Sequence, residues 1–140
     1  MLEFTAKKKK IKLTVNKDKG LKTKVIADKE KIEQVLTNLI DNSIKYGKDN
    51  GTTEIVIQSL NEDKIIVRVT DNGVGFKKEN YTRIFERFFR VDRSGSRSAG
   101  GSGLGLAIVK HIIDAHDEKI YVESEFGVGS EFSFTLEKSK

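Results

Sequence analysis

Apolar residues alternate with polar ones at Ile11, Leu13 and Val15, which predicts a half-buried strand. Leu21 to Ala27 reads as a second, shorter strand, and Asn16 to Gly20 between them is turn chemistry. The period then changes. Ile32, Val35, Leu36, Leu39, Ile40 and Ile44 recur at helical spacing, so an amphipathic helix is expected, capped by Asp28 and stopped by Gly47. Thr53–Ser59 and Lys64–Thr70 are rich in Ile and Val and predict a hairpin across Asn61–Asp63. Asp71-Asn-Gly-Val-Gly75 breaks that pattern. A short helical stretch from about Glu79 to Phe89 carries Ile84, Phe85, Phe88 and Phe89, and residues 92–105 read as loop. Leu104, Ala107, Ile108, His111, Ile112 and Ala115 predict a second helix. Lys119–Ser124 and Glu131–Glu137 close the chain as a hairpin across Gly127-Val-Gly129, with Phe132, Phe134 and Leu136 on one face.

The element order is ββαββ, an irregular segment, then αββ. Strand pairs joined by tight turns, with two amphipathic helices, predict an α+β fold. The expected architecture is a two-layer sandwich: a mixed, largely antiparallel sheet with helices on one face. No internal repeat and no second domain is visible in the 140 residues.

Composition narrows the function classes. No run of ~20 apolar residues exists, so no transmembrane helix is expected, and the charged N-terminus lacks a secretory signal. The chain has no Cys, so disulfides and thiolate metal sites are excluded, and its two His are too few for most zinc sites. It also lacks Pro, against roughly seven expected at average usage. The net charge of +5 admits an acidic or nucleic-acid partner, but its distribution does not favour one. Residues 1–24 hold nine Lys against Glu3 and Asp18, while residues 25–140 are net −2. Residues 1–9 read as a basic leader. Five of the six Arg (83, 87, 90, 93 and 97) fall in one stretch.

Three segments carry candidate chemistry. On the first helix, Asn38, Asn42, Lys45 and Tyr46 cluster within about 100° of arc, beside the apolar stripe. A solvated polar face accounts for them equally well, although two Asn at i,i+4 are poor helix formers and an amide oxygen can ligate a hard cation such as Mg²⁺. Asp71-Asn-Gly-Val-Gly75 reads first as a turn. Its glycines also let backbone approach a ligand, and Asp71 can accept from an exocyclic amine. Gly100-Gly-Ser-Gly-Leu-Gly105 runs straight into a helix, whose N-terminus favours phosphate. The spacing fits neither a P-loop, since no Lys follows, nor a dinucleotide fingerprint.

In this order and spacing the segments resemble the ATP-binding catalytic domain of sensor histidine kinases, within the Bergerat-fold ATPases and kinases. NLIDNSIKY (38–46) is similar to the N box, DNGVGF (71–76) to the G1 box, FERFFRVD (85–92) to the F box and GGSGLGLAIVK (100–110) to the G2 box. SEFGVGSEFSFTL (124–136) matches the terminal hairpin, and the resemblance covers about residues 10–140.

The resemblance implies ATP and Mg²⁺ as cofactors, with Asn42 as metal ligand and Asn38 supporting metal and phosphates. Lys45 would reach phosphate oxygens, Tyr46 pack on the adenine and Asp71 bind its amine. Gly73 and Gly75 belong to the adenine loop, with Gly75 letting the base sit close. Arg90 would contact the γ-phosphate from a mobile lid over about 77–103, disordered at 92–103 without nucleotide. Gly101, Gly103 and Gly105 would supply close backbone, Leu104 and Leu106 an apolar wall, and Ser130 part of the adenine edge. Phe85, Phe88 and Phe89 are expected to anchor the lid in the core.

Hydrolytic members of this superfamily carry a Glu one turn before the metal-binding Asn. Here Asn38 stands there, and an amide cannot act as a base. The resemblance therefore implies phosphoryl transfer to a histidine on a separate helical dimerisation domain. A response regulator would lie downstream, no nucleic acid would be involved, and the domain would be the cytoplasmic part of a membrane-anchored sensor. Neither His111 nor His116 has the phosphoacceptor setting. A protein-serine kinase and anti-sigma factor of the same fold, or a non-catalytic ATP-binding module, remain alternatives.

Overall fold

Backbone pairing among the described residues builds one six-stranded sheet. The structure is a computed structural model, and it describes residues 10–18, 20, 24–81, 83–87 and 105–139. The strands are β1 (Lys12–Lys17), β2 (Val25–Ile26), β3 (Thr52–Ser59), β4 (Lys64–Asp71), β5 (Ile120–Glu125) and β6 (Gly129–Lys138). Helix α1 spans Lys29–Lys45 and helix α2 spans Gly105–Ala115. The order across the sheet is β1-β3-β4-β6, with β5 and β2 sharing the far edge of β6. Only β1 and β3 run parallel. The expected α+β two-layer sandwich is therefore the observed one.

Two expectations change. The opening strands are not a hairpin: β1 lies beside β3 and β2 beside β6, on opposite sides of the sheet. Ile11 is buried against Ile40 and Ile44 of α1, which holds β1 at the edge beyond β3. The helix expected at 79–89 is, in its described part, a single 3₁₀ turn (Lys78–Asn80) followed by turns. Its bonds run i to i−3, from Arg83 N–H to Asn80 O and from Glu86 N–H to Arg83 O. Its apolar side chains instead dock singly. Ile84 is buried, Phe85 meets Phe132 edge-on at 6.1 Å, and Phe76 meets Tyr81 edge-on at 5.4 Å. Phe85 thus packs against the core as expected; Phe88 and Phe89 lie outside the described residues.

Period 2 in the strands and period 3.6 in the helices meet in one core. Ile32, Val35 and Leu39 of α1 and Val109, Ile112 and Ile113 of α2 cover the same sheet face. That face is built in rows. Ile57, Val67, Phe134 and Ile120 lie in register across four strands, and Ile55, Val69, Phe132 and Val122 form the next row. The helix ends are fixed by polar contacts. The Asp28 side chain accepts from Lys31 N–H at α1, while His116 accepts from Asp28 N–H through Nε2 (3.1 Å) and its Nδ1 lies 2.9 Å from Ile112 O. Asp117 takes the left-handed conformation (φ 56°) just after α2. Beyond it Glu118 is buried, accepting from Lys64 Nζ (2.6 Å) and Thr135 Oγ1 (2.8 Å). That hydrogen bond raises Lys64 above its ordinary pKa.

Candidate functional site

Followed one step further, the inner face of the sheet turns polar. The row after Ile55-Val69-Phe132-Val122 is Thr53, Asp71, Ser130 and Ser124, paired in that order across β3, β4, β6 and β5. All four keep the parity of the core residues, so their side chains point to the helix layer. Ser43 of α1 meets this row from above, with its hydroxyl 2.7 Å from Thr53 Oγ1 and both side chains buried.

Asp71 is the one acid in the row. Burial pushes its carboxyl above the usual carboxylate range, opposed by hydrogen bonds from Gly73 N–H, Ser130 N–H and the Ser43 hydroxyl. The Gly73 bond, 2.9 Å to Oδ1, closes an Asx turn that bends the chain out of β4. A carboxylate only accepts, so Ser43 donates to it and Thr53 must donate to Ser43. The carboxylate is thus held by three donors on its protein side.

Glycine fixes the loop that follows. Gly75 has φ +65°, and a Cβ there would lie 2.1 Å from Glu125 O. Gly129, the first residue of β6, would place a Cβ 2.1 Å from Asp71 O. Gly75 therefore permits backbone to pass backbone inside the protein, whatever ligand comes near. On its other side the loop is tied to α1, with Val74 N–H donating to Tyr46 O (3.0 Å). Tyr46 itself caps α1, half-buried.

Helix α1 brings its polar residues to this end. Asn42 is half-buried, and its carboxamide has no hydrogen-bond partner among the described residues. Lys45 pairs with Asp41 at 2.9 Å. Asn38 donates through Nδ2 to Gly105 O (3.3 Å), which ties α1 to the first residue of α2. Gly105 has open space where a Cβ would stand, and Leu106 packs half-buried against the core. The structure thus gathers Asn38, Asn42, Lys45, Tyr46, Asp71, Gly73, Gly75, Gly105, Leu106 and Ser130 around α1 and its neighbouring loops. Arg90, Gly101, Gly103 and Leu104 lie outside the described residues, as does the segment 92–103.

Sequence reading missed Ser43, Thr53, Ser124 and Tyr81. The signal for two of them, Thr53 and Ser124, was available. Extending the apolar alternation of each strand by one step (Ile57-Ile55-Thr53, Val67-Val69-Asp71, Phe134-Phe132-Ser130, Ile120-Val122-Ser124) ends on this row. Tyr81 gave no periodic signal. Its hydroxyl donates to Ser124 O and accepts from Ser124 N–H, pinning the start of the 77–87 segment to β5. Tyr81→Phe leaves both backbone groups of Ser124 without that partner, so a stability loss of about 1–2 kcal/mol is expected, read from urea midpoints.

A half-buried acid beside hydroxyls, at one end of a helix-covered sheet, is the candidate small-molecule site. Residues 27–140 match the family described as histidine kinase-, DNA gyrase B-, and HSP90-like ATPase, and the chain belongs to it. Within that family its relatives are sensor histidine kinases. It is 40% identical over 110 residues to the sensor histidine kinase WalK of Bacillus subtilis (strain 168), covering 78% of this chain but 18% of WalK. Among solved structures, full-length ShkA in complex with AMPPNP aligns with TM-score 0.83 at 28% identity, over 99% of this chain and 29% of that one. The histidine kinase ThkA in complex with the response regulator protein TrrA aligns with TM-score 0.77 at 30% identity, over 99% and 37%. The chain thus spans less than a fifth of the length of the curated relative WalK.

Proposed function

We propose that residues 10–140 form a catalytic domain that binds ATP with Mg²⁺ and donates the γ-phosphoryl group to a histidine on a separate helical dimerisation domain. A response regulator takes the group onward. Residues 1–9 are a leader, and 77–103 form a lid over the nucleotide. The ShkA complex with AMPPNP and the ThkA complex with TrrA support the nucleotide and the downstream partner.

The observation that carries this reading is that Asp71 meets α1 through Ser43, the residue after Asn42. Asp71 presents acceptor capacity to the exocyclic amine of adenine, and three protein donors keep its carboxylate oriented. Tyr46 and Leu106 flank the base, and Lys45 exchanges part of its contact with Asp41 for phosphate oxygens. Asn38 has committed its amide to Gly105 O and cannot take a proton from water, which favours transfer over hydrolysis.

The donor set fits Mg²⁺. Among the described residues no cluster of three or more His, Cys, Asp or Glu could hold a metal. Asn42 offers one neutral hard oxygen, with Asn38 beside it, and such a site suits an ion bound largely through phosphates and water. When bound, Mg²⁺ supplies charge neutralisation on the phosphates. The chain's own work is positioning: Asp71 orients the base, α1 holds the phosphates, and Arg90 meets the γ-phosphate from the lid. In the transfer, an imidazole nitrogen forms the P–N bond. The bond from γ-phosphorus to the bridging oxygen breaks, with its electron pair leaving on ADP.

The test is to mix this domain with its cognate helical domain, ATP and Mg²⁺. Acid-labile phosphate on the partner's histidine is the expected result. Acid-stable phosphoserine on a protein partner would instead identify the serine-kinase alternative, and nucleotide binding without any transfer the non-catalytic one.

A further inference from the structure

Ser124 is the most heavily bonded side chain next to the site, and proton counting there has a chemical consequence. Phe76 N–H donates to Ser124 Oγ (2.8 Å), and a backbone N–H has no other role. Ser124 Oγ also lies 2.9 Å from Gly129 O, where a carbonyl can only accept. Ser124 has one hydroxyl hydrogen, and Gly129 O takes it. The third contact, 2.8 Å to Ser130 Oγ, must then be donated by Ser130. Ser130 has spent its only side-chain hydrogen inside the protein and keeps only lone pairs for a ligand.

Ser130 sits directly opposite Asp71 in the β4–β6 register, with its side chain on the same face. We infer that Ser124 is a specificity-determining residue: by taking the Ser130 proton it makes the base edge of the pocket acceptor-only. Such an edge, Asp71 carboxylate beside Ser130 Oγ, selects a base with an exocyclic amino group and rejects one with a carbonyl at the same place. Ser124 acts on the base only through Ser130, so it is a positioning residue. The inference rests on the ATP reading above.

Affinities for ATP and ITP, which differ at the 6-amino group, test it in the whole domain. The unaltered protein is expected to prefer ATP. In Ser124→Ala the Ser130 hydroxyl regains a free hydrogen and can donate to the 6-carbonyl. The ATP-to-ITP preference is expected to fall about 10-fold, chiefly through tighter ITP binding. Ser124→Thr keeps the hydroxyl and is expected to keep the preference, which a purely structural role would not require. Ser130→Ala gives a test that does not depend on Ser124→Ala folding: ATP binding weakens about 3- to 10-fold while ITP binding does not. An unchanged ratio in folded Ser124→Ala, or ITP weakened as much as ATP in Ser130→Ala, overturns the inference. Should the unaltered protein bind neither nucleotide at millimolar concentration, the ATP reading itself fails, and this one with it.

Discussion

Asp71→Asn is expected to weaken ATP binding about 10- to 100-fold while making the empty domain more stable at pH 7. The affinity loss follows from donor and acceptor geometry. Gly73 N–H, Ser130 N–H and the Ser43 hydroxyl all point at the side chain, so the asparagine oxygen turns to them. Its amide nitrogen then faces the exocyclic amine, donor against donor. The stability gain follows from the pKa. Burial raises the folded carboxyl above its unfolded value of 3.8, so the native state holds this proton more tightly than the unfolded state. That contribution to stability is complete below 3.8 and is lost as pH rises through the raised value. As pH rises, ionising this half-buried carboxyl costs stability, and asparagine removes that cost. Thermal unfolding at pH 7 and near pH 4 should show the advantage of Asp71→Asn at the higher pH and its shrinkage at the lower. A variant that unfolds earlier at pH 7 while binding ATP normally would contradict both halves.

Asn42→Ala is expected to cut phosphoryl transfer by about 10²- to 10³-fold and leave the fold intact. The side chain is half-buried with no hydrogen-bond partner among the described residues, so its removal orphans nothing in the protein. Alanine is also the best helix former, so α1 should gain slightly. The loss belongs to the metal: an oxygen ligand goes, and the phosphates lose neutralisation in the transition state. Mg²⁺-dependent binding of ATP should fall, while binding measured with the metal chelated should change little. Equal losses with and without metal would place Asn42 elsewhere in the mechanism.

Much of the fold was legible because its elements obey one period each. Helix α1 and strands β3, β4 and β6 emerge at nearly the residues that alternation or helical spacing indicates. What alternation cannot show is pairing. Nothing in Ile11, Leu13 and Val15 says that β1 runs parallel to β3 instead of turning back on the next strand. The 3₁₀ turn at Lys78–Asn80 was misread because Ile84, Phe85, Phe88 and Phe89 mimic a helical stripe in the sequence, whereas Tyr81 docks through a hydroxyl clamp and Phe85 through an edge-on ring. The site was legible where a motif concentrates it, at 38–46 and 71–76. It was hidden where separate strands each contribute one residue. Thr53 joins Asp71, and Ser124 joins Ser130, only through register, and Ser43 only through the packing of α1 over the sheet.

Amide chemical-shift mapping during titration with ATP and Mg²⁺ tests the central claim most directly, that the end row of the sheet and the polar face of α1 form one ATP site. Saturable shifts are predicted at Thr53, Asp71, Gly73, Ser124, Ser130 and the last two turns of α1, with little change around Lys64 and Glu118 at the far end. Shifts confined elsewhere, or their absence at millimolar ATP in the folded domain, would contradict it.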